Sequence, residues 1–128
     1  MLAFARTNDF GSMLAQAMAG IVHPKHLDDA NLRAINRRMG KTLGIEGYAR
    51  QTEAVIARID SRPSLAAIKV PTLVLTGEDD KVIPPDRSDE MAAAIPHARL
   101  VKVPECGHES TLEQPKIVNQ AMIEWITG

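Results

Sequence analysis

A short apolar segment at residues 72–76, Thr-Leu-Val-Leu-Thr, constrains the fold more than any other part of the chain. Its hydrophobic residues are consecutive and do not alternate with polar ones, which is typical of a strand buried on both faces of a parallel sheet. Residues 99–103 predict a second strand, and residues 86–95 between the two predict a helix that Pro96 ends. Because a strand, a helix and a strand follow one another, we expect one parallel crossover unit.

Each predicted strand ends in a loop that carries polar side chains. Gly-Glu-Asp-Asp at residues 77–80 follows the first strand, and Pro-Glu-Cys-Gly-His at residues 104–108 follows the second. Functional sites of open α/β sheets lie beyond the carboxyl ends of the strands. Asp80 and His108 are therefore the candidate site residues.

The N-terminal half of the chain predicts helices and no strand. Apolar residues in residues 9–60 are spaced three and four apart, which indicates three amphipathic helices. Asn8 and Asp9 can cap the first helix, and Gly40 fits the end of the second. These helices are predicted at residues 10–21, 27–39 and 45–59. A last helix is predicted to begin at Pro115, with a buried face made of Val118, Ala121, Met122 and Trp125.

The charge of the chain is nearly balanced, with a net value of −1, and gives no reason to expect nucleic acid or an anionic membrane as a partner. Residues 1–63 hold nine Lys/Arg and six Asp/Glu, whereas residues 64–128 hold six and ten. The pattern also changes at Pro63, from helical spacing to strands. We therefore predict a helical region at residues 1–63 and an α/β portion at residues 64–128.

Cys106 is the only cysteine, so the chain cannot form an internal disulfide, which fits a reducing compartment. No uninterrupted apolar run reaches the roughly 18 residues that a membrane span needs. The N-terminus lacks the basic and apolar pattern of a signal peptide. We expect a cytoplasmic protein.

Two short strands do not make a stable sheet by themselves. The chain is therefore expected to form part of a larger sheet, completed by another chain or left incomplete because the protein is a fragment. On this basis we expect Asp80 and His108 to reach hydrogen-bonding distance only once the free edge of the first strand is covered.

Three segments of the C-terminal half carry a recurrent pattern. Residues 68–85 read I-x-V-P-T-L-V-L-x-G-x-x-D-x-x-x-P-P, residues 95–108 read I-P-x-A-x-L-V-x-V-P-x-C-G-H, and residues 112–119 read L-E-Q-P-x-x-V-N. In these segments the chain resembles the C-terminal half of the α/β-hydrolase fold family. The helices before them look like the helical cap that such hydrolases insert between their sixth and seventh strands.

The resemblance implies an α/β fold in which a three-helix cap-like segment precedes a β-α-β-α unit from the C-terminal end of a hydrolase sheet. It implies that Asp80 is the acid and His108 the base of a Ser–acid–His triad. The nucleophile elbow of the family, G-x-S-x-G, is absent from this sequence, together with the oxyanion-hole loop. The sequence alone therefore does not decide whether this chain is an enzyme.

Two functions from different classes follow. The first is the C-terminal part of a serine-type hydrolase of esters, lactones or related carbonyl compounds, inactive alone and without a metal or organic cofactor. The second is a non-catalytic assembly protein, either a homo-oligomer that uses an exposed sheet edge or exchanged helices, or one half of a complex with a separate N-terminal half. A truncation or proteolysis product is a third possibility, and the cap-like helices carry no motif that identifies a substrate.

Other residues near these motifs carry groups capable of the same chemistry. Asp79 is the alternative acid. Ser12 follows Gly11, but an elbow needs glycine two positions before and two after the serine, where this sequence has Phe10 and Leu14. Cys106 is predicted to pack in the core, and Ser110 to form local hydrogen bonds. His23 and His26 lack a third ligand and are predicted to face solvent rather than to bind a metal. Glu105, Glu109 and Glu113 surround His108, and most of them are predicted to be solvated.

Overall fold

Two long helices and a parallel α/β unit follow one another in the computed structural model, which describes residues 10–128. The elements are α1 (Phe10–Ile21), α2 (Ala30–Ile56), β1 (Leu73–Gly77), α3 (Asp86–Ala94), β2 (Arg99–Val103), α4 (Ser110–Glu113) and α5 (Pro115–Thr127). Short 3-10 turns lie at Pro24–His26 and Arg62–Ala67. The predicted caps Asn8 and Asp9 lie outside the described residues.

The bounds of α2 differ from the prediction at both ends. The helix begins at Ala30 rather than residue 27, because the side chain of Asp29 accepts the N–H groups of Asn31 and Leu32 and caps it there. The predicted end at Gly40 is wrong, since the helix passes through this buried glycine. The break lies at Gly44, where φ is +66° and ψ is 170°, a conformation that residues with a Cβ rarely adopt.

The far end of α2 is less buried than its apolar spacing predicts. Ala49 is buried, but Val55 and Ile56 are largely exposed. The predicted third helix also stops at Ile56, three residues early, so Ile59 lies in the following loop. Val55 and Ile59 line an open cavity instead of packing against a neighbouring helix.

The two strands pair in parallel, as predicted, with Leu73 opposite Arg99 and Gly77 opposite Val103. Both faces of this sheet are covered. One face packs in a cluster that contains Leu65, Val74 and Ile95, and the other in a cluster that contains Val103, Cys106 and Val118. The burial on both faces explains why the strand sequence does not alternate.

The buried face of α5 is narrower than predicted. Val118 and Ala121 are buried, but Met122 and Trp125 are 43% and 40% exposed. Two strands lie about 4.8 Å apart, so this sheet is only about as wide as one helix. It therefore covers Val118 and Ala121 at the centre of the helix face and leaves Met122 and Trp125 at the side of that face exposed. No helix within residues 10–128 is both long and apolar enough to cross a bilayer.

Candidate active site

Asp80 lies in the turn directly after β1, and only 8% of its surface is exposed. Its Oδ1 atom accepts the backbone N–H groups of Val82 at 2.8 Å and Ile83 at 2.9 Å. An aspartate that accepts N–H groups two and three residues ahead fixes both its own turn and its rotamer. The second carboxylate oxygen, Oδ2, is left for another donor.

That donor is His108, in the loop after β2. Its Nδ1 atom lies 2.9 Å from Oδ2 of Asp80. Because a carboxylate only accepts, Nδ1 carries the proton and Nε2 of the neutral ring is the basic nitrogen. The imidazole is 38% exposed whereas the Asp80 side chain is 7% exposed, so the pair has a buried acid and an accessible base.

The backbones of the two loops hold each other in place. The N–H of Glu78 donates to the carbonyl oxygen of Val103 and the N–H of Asp79 to that of Cys106, both at 2.9 Å. A Cβ on Gly77 would overlap the carbonyl oxygen of Gly107, so only glycine permits this approach. The expectation that Asp80 and His108 need a covered sheet edge to meet was wrong, because these backbone contacts already align the loops.

Asp79, the alternative acid, faces a different histidine. Its Oδ2 lies 3.6 Å from Nε2 of His23, and nearly half of the side chain is exposed. It therefore lies away from the ring of His108, and the structure brings Asp80 rather than Asp79 to the base. The assignment of acid and base roles to Asp80 and His108 stays a prediction.

Cys106 is fully buried in the cluster with Val103 and Val118, which confirms its predicted packing role. Burial raises the pKa of its thiol to about 12, and the negative charges of Glu113, Asp80 and Asp79 add to the shift. A thiol with this pKa is protonated at neutral pH and is a poor nucleophile. Ser12 lies within helix α1, which is not the strand-to-helix turn that an elbow needs.

The two histidines after α1 are half-buried, not solvent-facing as predicted. Nδ1 of His23 accepts the N–H of Lys25 at 3.2 Å, and Nε2 of His26 lies 3.1 Å from the carbonyl oxygen of Glu105. The ring of His26 therefore lies against the loop that precedes His108, and the ring of His23 lies between its own turn and Asp79. Within residues 10–128, no group of three or more His, Cys, Asp or Glu side chains is placed to hold a metal ion.

Glu113 was missed as a structural residue of the site. Most of the three glutamates around His108 were predicted to be solvated, but Glu113 is 7% exposed and its carboxylate points at the backbone beside His108. The reason is local, since α4 follows directly on residues 104–109, the loop that carries His108 and is called the base loop below, and its last residue is buried. The only sequence signal was its place in the segment L-E-Q-P of the hydrolase pattern.

An open cavity of about 870 Å³ adjoins the pair. Asp80, His108 and Ser110 line one side, and the loop after α2, including Arg58 and Asp60, lines another. A hydrogen bond from Arg62 to Asp60 lowers the pKa of that carboxyl to about 2. The cavity is therefore bounded by a base, a buried acid and charged groups, with room for a small organic molecule.

The comparisons with known proteins agree with this architecture. The sequence model described as the alpha/beta hydrolase fold matches residues 14–115. Bifunctional epoxide hydrolase 2 from Mus musculus is 39% identical over 59 residues, which are 46% of this chain and 11% of that protein.

Two solved structures match nearly the whole chain. A thermophilic esterase from Thermogutta terrifontis matches with a TM-score of 0.87 and 29% sequence identity, and the matched region is 98% of this chain and 47% of the esterase chain. The enol-lactonase from Burkholderia xenovorans LB400 matches with a TM-score of 0.89 and 27% sequence identity, and the matched region is 99% of this chain and 48% of the lactonase chain. The predicted fold class is confirmed, and this chain spans about half the length of these structures.

Proposed function

The chain belongs to the α/β-hydrolase fold family, and from this premise we propose that Asp80 and His108 are the acid and base of a serine-type hydrolase. The proposed reaction is hydrolysis of a carboxylic ester, a lactone or a related carbonyl compound. The nucleophilic serine comes from a segment outside these 128 residues, so this chain alone is inactive. The observation that carries the proposal is the 2.9 Å contact between Nδ1 of His108 and Oδ2 of Asp80, beside an open cavity.

The proposed mechanism uses each half of the His108 ring differently. Nε2 accepts the proton of the serine hydroxyl as its oxygen attacks the carbonyl carbon, and returns that proton to the leaving alcohol. Asp80 accepts the Nδ1–H bond, which orients the ring and stabilises the imidazolium. Water then attacks the acyl-enzyme with His108 as the base, which releases the acid and frees the serine. No metal ion or organic cofactor takes part.

The test compares two proteins with a p-nitrophenyl ester as substrate. We expect the 128-residue chain to show no hydrolysis that depends on His108. A longer version that includes a nucleophile elbow is expected to hydrolyse the ester and to lose about 10³-fold or more in kcat with His108→Ala or Asp80→Asn.

Asp79→Asn is the matched control, since it removes the same charge one residue away and is expected to change kcat less than about threefold. The proposal fails if the longer version keeps its activity after His108→Ala. Hydrolysis by the 128-residue chain that His108→Ala abolishes would contradict the claim that it is inactive alone.

A second candidate function, self-association or assembly with a separate N-terminal half, is favoured by the surface beside the sheet. Within the described residues β1 pairs with β2 alone. Large apolar side chains in the segments before and after β1 are exposed, and they include Ile59 at 83%, Val70 at 67% and Val82 at 50%. Open strand edges and apolar patches are surfaces that recruit another chain.

This second candidate predicts an oligomer by light scattering at micromolar concentration. Val70→Lys places a charge beside the open edge and is expected to shift the molecule towards monomer, whereas Lys69→Glu next to it serves as the control. A monomer that unfolds cooperatively would contradict self-association. We place either function in the cytoplasm, because the buried free thiol of Cys106 suits a reducing compartment.

A further inference from the structure

The carboxylate of Glu113 is surrounded by backbone N–H donors. Oε2 accepts the N–H of His23 at 2.7 Å, and both oxygens accept the N–H of Gly107, at 3.1 and 3.0 Å. Oε1 also accepts the N–H of Glu109 at 3.1 Å. One side chain thus satisfies three backbone donors that would otherwise be buried without a partner or left to water.

These donors come from both sides of the base. Gly107 and Glu109 are the residues directly before and after His108, and His23 belongs to the helical region 84 positions away in sequence from Gly107. The N–H of His108 itself donates to the carbonyl oxygen of Ile21 at 2.7 Å. The base loop is therefore fixed at three consecutive N–H groups, two by Glu113 and one by the end of α1.

The space around this loop leaves little freedom for an alternative arrangement. A Cβ on Gly107 would overlap backbone atoms of Ile21, Val22 and His23. The loop and the turn after α1 therefore lie in direct backbone contact. A shift of either segment moves the Cα of His108, and with it the ring nitrogen that faces Asp80.

We propose that Glu113 is a positioning residue for His108, which uses its carboxylate to lock the base loop to the turn after α1 and so holds Nδ1 on Asp80. This role rests on the proposed function only in calling His108 the base. Hydrogen bonds to an ionised carboxylate are stronger than those to a neutral amide, so both the charge and the length of Glu113 matter.

Glu113→Gln is the most informative variant, because it changes the hydrogen-bonding groups and the charge but not the size of the side chain. Glutamine has the same shape, but its amide presents one acceptor and one donor end, so its NH₂ group must face one of the donors that the carboxylate now accepts. Glu113→Asp keeps the charge and shortens the reach. Glu124→Gln removes the same charge from an exposed site on α5 and is the matched control.

The measurement is nuclear magnetic resonance on the 128-residue chain. In the wild type we expect slow hydrogen exchange at the amides of Gly107 and Glu109, and a low-field Nδ1–H signal from His108. Glu113→Gln is expected to raise exchange at these two amides about tenfold or more and to broaden or remove the Nδ1–H signal, while exchange at Ala121 in α5 changes less than about twofold. Glu113→Asp is expected to have a smaller effect in the same direction, and Glu124→Gln none.

The proposal is overturned if Glu113→Gln leaves both the two amides and the Nδ1–H signal unchanged. It is also overturned if protection falls equally throughout the chain in both Glu113→Gln and Glu113→Asp, because Glu113 would then support general stability rather than the base loop. Neither readout involves hydrolysis, so the outcome is independent of whether the proposed activity is found.

Discussion

At the scale of single residues, three carboxylates near His108 have different surroundings because the backbone around each one differs. Asp80 uses one oxygen for its own turn and offers the other to the base. Glu113 uses both oxygens for backbone donors. The side chain of Asp79 is nearly half exposed, and its Oδ2 lies 3.6 Å from Nε2 of His23. Residue type alone therefore does not decide which acid meets the histidine.

Cys106 gives a prediction at this scale. Its pKa is raised to about 12 from an ordinary value of 9.0, so the folded chain keeps the thiol proton where the unfolded chain loses it. The free energy of unfolding is therefore expected to fall as pH rises from about 9 towards about 12. At pH 8 we expect Ellman's reagent to react with Cys106 only after unfolding in guanidinium chloride. Rapid reaction in the native chain would contradict this prediction.

At the scale of elements, the two strands and the helices α1, α3 and α5 were predicted to within about one residue where a bound was given, and the long helix α2 was not. Residues 99–103 form β2 as predicted, and β1 begins one residue later and ends one residue later than expected. A strand buried on both faces has a distinctive run of apolar residues, whereas an exposed helix end such as Val55–Ile56 has the same spacing as a packed one. Sequence alone did not show which of Gly40 and Gly44 breaks the helix, because both lie between the two apolar helical segments and either can adopt a positive φ. In the structure Gly40 is buried within the helix and Gly44 has the positive φ.

The cap of α2 gives a prediction at this scale. Both N–H groups that Asp29 accepts belong to the first turn of the helix, at 2.8 and 3.0 Å. Asp29→Ala is expected to lower the free energy of unfolding by about 1 kcal/mol, as loss of a helix cap usually does. Asp28→Ala is the control, because its side chain is almost fully exposed and its ion pair with Arg33 contributes little. Equal effects of the two variants in urea unfolding would contradict the capping role.

At the scale of the whole molecule, the helical region and the α/β portion meet through residues that follow the base. Leu112, next to Glu113, packs against a cluster of Met18, Val22 and Leu32 in the helical region. The boundary near Pro63 stays a prediction, but these contacts indicate that the two regions support each other. We therefore expect one cooperative unfolding transition rather than two.

Leu112→Ala tests that expectation. Removal of this half-buried side chain is expected to lower the free energy of unfolding by about 1–2 kcal/mol, less than for a fully buried leucine. Met122→Ala, at an exposed site on α5, is expected to change it by less than about 0.5 kcal/mol. Circular dichroism and tryptophan fluorescence of Trp125 should give the same midpoint in urea. Two separate transitions would show that the regions unfold independently.

The sequence was sufficient for the fold family and for the two loops that meet, and insufficient for the contacts that hold them. The two loops were identified because each follows a predicted strand, and the resemblance to the hydrolase pattern selected Asp80 and His108 within them. Glu113 and the carbonyl oxygen of Ile21 could not be identified, because their partners are backbone groups that no side-chain pattern records. The same backbone contacts explain why the pair forms without further strands beside β1.

The contact between Asp80 and His108 has a consequence for how a complete site could be assembled. The imidazole of His108 already lies on the carboxylate of Asp80 in this chain, so the conformational entropy of orienting the ring is lost on folding. It does not have to be lost again when a segment that carries a nucleophile binds. Any segment that delivers a serine therefore has one group to align instead of three. The proposed function therefore predicts that this chain can serve as the inactive half of a split reporter, which hydrolyses an ester only when a binding event brings a serine-bearing segment to it.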